Sequence, residues 1–171
     1  MRQLLCGAAL LLASCAGCNG EPRVVAVLHW GGFRPGCLKL TATPQGAAQP
    51  QITTLVLDPA TDRAGDREVT VVPGPGEGPQ VELVAEALER GCDGDGGVAV
   101  SRATGQAVVG SSGPQVTLGL AANDPDDDGY ISNQATMPGT DCREGNANIH
   151  PKPGGETLCD GEFLLRRIGR L

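Results

Sequence analysis

Short runs of alternating apolar and polar residues recur through the first two thirds of the chain, and they limit the fold more than any other feature. In CLKLTAT (37–43), Leu38, Leu40 and Ala42 fall on one face and polar residues on the other, which is the pattern of a half-buried strand. Similar runs are VVAVLHW, ITTLVLD, REVTVV, GVAVS, QAVV and QVTLGL, separated by turn-forming stretches such as GPGEGP and GSSGP. This spacing predicts a mainly β protein with an antiparallel Ig-like β-sandwich over residues 23–121.

One segment, VELVAEALER (81–90), fits two periodicities. Val84 and Leu88 follow Val81 at helical spacing, whereas Leu83 follows it at strand spacing. We favour a strand, because the neighbouring segments are strands and the following GCDGDGG has the composition of a hairpin turn. A helix at this place would give a sandwich with one helical lid.

Composition and charge exclude several classes of protein. With 26 glycines, 13 prolines and only 2% aromatic residues, a helical bundle or a large aromatic-lined pocket is disfavoured. The net charge is −7 and the basic residues are dispersed, which argues against nucleic acid as a partner. There is no G-x-S-x-G or GxxxxGK[ST] sequence, and we expect a protein that is not an enzyme.

The amino terminus has the features of an export signal. In MRQLLCGAALLLASC a positive residue precedes an apolar segment that is too short to span a bilayer, which predicts a signal peptide at residues 1–14. The sequence LASC resembles the bacterial lipobox, which implies lipid attachment at Cys15, and Ala16 after it favours the outer membrane or cell surface. Residues 15–22 would form a tether; an ordinary secretory peptide cut nearby is the alternative.

Export predicts that the remaining cysteines form disulfides, because disulfides persist outside the cytosol. Cys37, Cys92, Cys142 and Cys159 form an even set with three possible pairings. We favour Cys37 with Cys92 and Cys142 with Cys159, each pair within one segment. Cys18 would remain unpaired in the tether.

The most unusual stretch is NDPDDDGY, in which Asp124, Asp126 and Asp128 take positions one, three and five of D-x-D-x-D-G. This spacing wraps carboxylate oxygens around one centre, the glycine permits a sharp bend, and Tyr130 can add its backbone carbonyl. Hard oxygen ligands of this kind predict a Ca²⁺ site. Asp127 is out of register and is expected to point into solvent.

The rest of the site must come from farther along the chain. An EF-hand would have a bidentate glutamate at the twelfth position, but Ala135 stands there and no helical pattern flanks the loop. We therefore assign the missing oxygens to Asp141 and Glu156, which a bridge between Cys142 and Cys159 would hold near the aspartates.

Several short elements follow one another in a fixed order in this part of the chain. They are D-x-D-x-D-G-Y (124–130), Asp141-Cys142, IHP (149–151), Glu156 and CDG (159–161). The set resembles a metal-binding repeat of surface and secreted proteins from myxobacteria and related organisms, a family that includes a copper-acquisition protein of methane-oxidising bacteria. The resemblance implies a small disulfide-closed cation module, here residues 122–161, attached to a β-rich domain.

Other interpretations remain open for the module and the tail. A copper-binding or metal-acquisition surface protein using His150 and His29 is one alternative, although two distant histidines are few donors for such a metal. An accessory subunit of a surface enzyme or adhesion complex is another. Residues 162–171 fit a basic amphipathic helix on an anionic surface or a frayed terminus.

The lipobox interpretation predicts which cysteine carries lipid. Replacing Cys15 with alanine should abolish incorporation of a labelled fatty acid and release the protein from the membrane fraction, because acyl chains supply the anchoring free energy. Cys18→Ala is the matched control and should keep both properties. Labelling that persists in Cys15→Ala, or that disappears in Cys18→Ala, would contradict the assignment.

Overall fold

The fold is known from a computed structural model that describes residues 21–57, 62–92, 97–143 and 145–148. Regular secondary structure in these ranges consists of seven strands. Nothing in them forms a helix of the length and apolarity needed to cross a membrane. The predicted signal peptide, Cys15 and the carboxyl-terminal tail lie outside the described residues. The strands are β1 (Val24–Gly31), β2 (Cys37–Pro44), β3 (Gln51–Val56), β4 (Ala64–Val71), β5 (Gln80–Leu88), β6 (Ala99–Val108) and β7 (Gln115–Ala121).

The strands form two sheets, of orders β4-β1-β7 and β3-β2-β5-β6. All pairs are antiparallel except β1 with β7, which run parallel. The mainly β, sandwich-like prediction is confirmed, but the immunoglobulin-like order is not the order observed. In that fold the first two strands are neighbours, whereas here they lie in different sheets. Alternation indicates which residues are buried, and it carries no information on which strands pair.

The core lies between the two sheets and is built from alternate residues of their inner faces. Trp30 is its largest side chain, and its indole N–H donates to the Asp62 carbonyl at 3.0 Å. Each fully buried leucine contributes about 1.5–3 kcal/mol to the free energy of folding relative to an exposed one. The inner-face residues include Val24, Ala26, Leu28, Leu38, Leu40, Ala42, Val81, Leu83, Ala85, Leu118 and Leu120.

Two sequence predictions about single segments have different outcomes. The ambiguous segment 81–90 is a strand for most of its length, as predicted, and β5 is paired on both sides, with β2 and β6. In contrast, GVAVS and QAVV are one continuous strand, β6, and not two. Gly105 between them is not a turn residue; a Cβ there would come within 3.0 Å of Val116 and Leu118 of β7, so glycine allows close packing.

Four strand ends meet at one end of the sandwich, here called the loop end. β1 and β7 finish side by side, with Gly31 paired to Ala121, while Cys37 at the start of β2 pairs with Leu88 at the end of β5. The predicted Cys37–Cys92 disulfide is present at this end. The aspartate-rich segment begins directly after β7, so the fold delivers it to the loop end.

The second predicted disulfide is described for one of its two cysteines. Cys142 is disulfide-bonded, whereas its predicted partner Cys159 lies outside the described residues. The pairing between them therefore stays a prediction.

The disulfide at the loop end should contribute strongly to stability. Its cysteines are 55 residues apart, and a loop of this length corresponds to about 4 kcal/mol in the loop-entropy estimate. We expect the double variant Cys37→Ala, Cys92→Ala to lower the free energy of unfolding by about 2–4 kcal/mol in urea titrations. Substitution leaves the Cys142 bridge intact, which reduction would not; an unchanged unfolding midpoint would contradict the prediction.

Candidate metal centre

Hydrogen bonds within residues 124–130, here called the aspartate loop, fix two of its carboxylates. The Gly129 N–H donates to Oδ2 of the fully buried Asp124 at 3.0 Å, and the Tyr130 N–H donates to Asp128 Oδ1 at 2.8 Å. Gly129 has φ +84°, a left-handed conformation that glycine adopts without strain. The predicted bend at position six is therefore present, and each carboxylate uses one oxygen to close it.

Asp141 shows the same arrangement on a second segment. It is fully buried, and its Oδ1 accepts a hydrogen bond from the Arg143 N–H at 2.8 Å. Its main chain pairs with the segment after the loop, since the Asp141 N–H donates to the Ile131 carbonyl at 2.9 Å and the Asn133 N–H donates to the Asp141 carbonyl at 2.7 Å. Ten residues after Ile131, the chain thus returns beside the aspartate loop.

The carboxylate oxygens that these hydrogen bonds do not use are buried and have no hydrogen-bond donor. Among the described residues, no group donates a hydrogen bond to Asp124 Oδ1, Asp128 Oδ2, Asp141 Oδ2 or either oxygen of Asp126. A buried acceptor without a partner costs about 1–3 kcal/mol, and more when it is charged. A divalent cation could supply the missing partner for these five oxygens.

The spacing of the cluster fits a single ion. One oxygen from each of Asp124, Asp126 and Asp128 lies within 4.8 Å of the other two. Oxygens bind Ca²⁺ at about 2.3–2.6 Å, so two ligands on opposite sides of the ion are about 5 Å apart. The three oxygens are therefore close enough to share one centre.

The electrostatics of the cluster disfavour ionisation of Asp128 and Asp124. The pKa of Asp128 is raised to about 6, chiefly by burial and also by the charges of Asp126, Asp141 and Asp124, against the lowering effect of the Tyr130 N–H. Burial also raises the pKa of Asp124, with repulsion from Asp126 as a smaller cause. The repulsion between Asp141 and Asp128 means that the second segment belongs to the same electrostatic site.

Asp127 has a role that the sequence did not predict. Its side chain does not simply point into solvent. Its Oδ2 is 2.8 Å from Arg34 Nη2, and its Oδ1 is 3.6 Å from Arg63 Nε. Arg63 also donates to the carbonyls of Gly32 at 2.8 Å and Asp124 at 2.5 Å. Asp127 and the two arginines therefore attach the aspartate loop to the loop end of the sandwich.

The sequence analysis also did not identify Glu89, which directly follows β5, as a residue of this site. It is 2% exposed, and its Oε1 accepts hydrogen bonds from the backbone N–H groups of Ile131 at 2.5 Å and Thr140 at 3.1 Å, while Oε2 accepts one from the Thr140 hydroxyl at 2.6 Å. A signal was available: Glu89 continues the inward-facing series of Leu83, Ala85 and Ala87, and a charge at such a position needs partners.

The other predicted site residues fall into two groups. Tyr130 is buried beneath the Arg90 guanidinium, 4.1 Å from the ring centroid, and its carbonyl role stays a prediction. His29 is exposed on the outer face of β1, with Nδ1 2.6 Å from Asp66 Oδ1. Glu156 and His150 lie outside the described residues. Over the ranges that the structure covers, the one grouping of three or more metal-ligating side chains is the aspartate cluster, without histidine.

Comparisons with known proteins give no relative for this chain. No family model, no curated protein and no solved structure matches it. The resemblance to the metal-binding repeat therefore stays a prediction from the motif, and the case for a metal centre depends on the geometry of Asp124, Asp126 and Asp128 and on the buried oxygen of Asp141 that has no hydrogen-bond partner.

The raised pKa of Asp128 predicts how stability depends on pH without metal. Between about pH 4 and pH 6 the folded state binds more protons than the unfolded state, whose carboxyl has a pKa near 3.8, so stability falls as the pH rises through this window and stays lower above it. In chelator, the wild type should lose on the order of 2 kcal/mol from this group.

The variant Asp128→Asn isolates this effect, because the amide keeps the side-chain shape and cannot ionise. Its urea midpoint in chelator should depend less on pH between 4 and 7 than that of the wild type. Glu68→Gln, at an exposed position of β4, makes the same charge change and serves as a control that should retain the wild-type profile. Equal pH dependence in all three proteins would contradict the prediction.

Proposed function

We propose that this protein is a non-enzymatic, lipid-anchored cell-surface protein whose β-sandwich carries a structural Ca²⁺ site. The ligands would be Asp124, Asp126, Asp128 and Asp141. One observation carries the proposal: five buried carboxylate oxygens of these residues have no hydrogen-bond donor among the described residues. A bound divalent ion would provide the missing partner for all five.

The donor set favours Ca²⁺ over other metals. Ca²⁺ accepts six to eight oxygens in flexible geometry, often with one bidentate carboxylate, whereas Mg²⁺ demands an octahedron and keeps several waters. Asp126, with both oxygens buried and unpartnered, suits the bidentate position. The Tyr130 carbonyl and Glu156 would complete the shell. Copper and zinc prefer nitrogen and sulfur donors, and the described cluster contains only carboxylates.

The ion would act by ordering a segment that is poor in apolar residues. Repulsion among the aspartates opposes folding of residues 124–141 in the absence of metal, and coordination replaces that repulsion with attraction. Sites of this kind in extracellular modules bind with dissociation constants of about 10⁻⁴–10⁻³ M. This affinity suits a structural ion in a calcium-containing medium, and the expected export of the chain through its signal peptide would expose the site to that medium.

Addition of Ca²⁺ should stabilise the folded protein. At 10 mM Ca²⁺, which is about 10–100 times the expected dissociation constant, the free energy of unfolding should rise by about 1.4–2.7 kcal/mol. Asp126→Asn should lose this increase, because it removes the bidentate ligand. The measurement is the urea midpoint of each protein with Ca²⁺ and with chelator.

A matched control separates ligation from net charge. Asp127→Asn makes the same charge change one residue away, and asparagine tolerates the positive φ of 61° found there. This variant should keep most of its stabilisation by Ca²⁺, even if its stability in chelator changes. The proposal fails if the wild type shows no Ca²⁺ response, or if Asp126→Asn responds as strongly as the wild type.

A further inference from the structure

Glu89 differs from every aspartate of the cluster in the way its oxygens are used. It is 2% exposed, and both of its oxygens accept hydrogen bonds, three in all. Three of its roughly four lone pairs already face protein donors, and Glu89 is not in the group of side chains close enough to share one ion. Charge-assisted hydrogen bonds of this kind are about twice as strong as neutral ones, so Glu89 holds its donors firmly.

The donors are placed on the two segments that supply the ligands. Ile131 directly follows the aspartate loop, and Thr140 directly precedes Asp141. Glu89 Oε1 bonds to the backbone N–H groups of both residues. A single oxygen atom of Glu89 therefore holds the end of the aspartate loop and the segment that carries Asp141 close together.

The close approach of these segments depends on Gly139. A Cβ at this position would come within 2.6 Å of Glu89 Oε1 and 2.3 Å of the Ile131 carbonyl oxygen. Such contacts cannot be relieved without moving backbone away from Glu89. Glycine at position 139 therefore allows the main chain to lie directly against the buried Glu89 carboxylate.

We infer that Glu89 is a positioning residue of the metal centre: it holds the segment that carries Asp141 beside the aspartate loop without touching the ion. This inference rests on the proposed Ca²⁺ site. It predicts that Ca²⁺ affinity depends on the hydrogen bonds of Glu89, since loss of groups that orient metal ligands commonly weakens affinity about 10–100-fold.

Two substitutions separate positioning from charge. Glu89→Gln keeps a side-chain oxygen that can accept from both backbone N–H groups, whereas Glu89→Ala removes every acceptor. If Glu89 acts by positioning, the alanine variant should bind Ca²⁺ at least tenfold more weakly, and the glutamine variant should stay close to the wild type. Glu82→Ala, at an exposed position of β5 toward the opposite end of the sandwich, is the matched control and should bind as the wild type does.

The experiment measures Ca²⁺ dissociation constants of the full-length chain by calorimetry, together with the urea midpoint in chelator. Terbium luminescence sensitised by Tyr130, the single tyrosine of the sequence, gives a second readout of ion position. In Glu89→Ala we expect weaker affinity and altered luminescence, a combination that loss of stability alone would not produce in protein shown to be folded.

Each outcome decides the inference. If Glu89→Ala is less stable but binds Ca²⁺ with wild-type affinity, Glu89 is only structural and the inference is wrong. If Glu89→Gln loses as much affinity as Glu89→Ala, charge and not positioning is responsible, which also overturns it. Should Glu89→Ala fail to fold, Thr140→Val decides: it removes one donor to Oε2, and unchanged affinity would refute the inference. A wild type that binds no Ca²⁺ would instead overturn the proposed function itself, together with this inference.

Discussion

Repulsion among buried aspartates is the constraint on which the carboxyl-terminal half of this structure depends. Two like charges 4 Å apart interact by about 4 kcal/mol at an effective dielectric constant of 20, and here one oxygen from each of three aspartates lies within 4.8 Å of the other two. Hydrogen bonds from Gly129, Tyr130 and Arg143 use only part of the acceptor capacity. The unused part is what a divalent ion would neutralise.

The sandwich holds the site in place through contacts of several kinds. Glu89 binds the segment from inside the protein, Asp127 pairs with Arg34 and Arg63 at the surface, and Ile131 is 1% exposed within the hydrophobic core. Ile131 lies in the segment that the motif resemblance assigned to a separate module, yet it packs with the strands. The segment that carries the aspartates and the sandwich therefore share a core at the loop end.

Local patterns in the sequence predicted what depends on local geometry. Alternation identified strands such as β2 and β7, and the spacing of Asp124, Asp126 and Asp128 predicted their convergence. Strand order was not predictable, because pairing of β1 with β4 and β7 joins residues far apart in sequence. The hydrogen bonds of Glu89 reach Thr140, 51 residues away, and a single sequence gives no signal for such a contact beyond an inward-facing charge.

The parallel pairing of β1 with β7 has a consequence for orientation. Both strands run in the same direction and finish together, so the chain enters the sandwich at one pole and the aspartates emerge at the other. For a chain tethered at its amino terminus, as proposed, the length of β1 alone separates these poles by roughly 25 Å at about 3.3 Å per residue. The carboxylates would then face the surrounding medium, and their occupancy would follow its calcium content and not the ions gathered at the lipid headgroups.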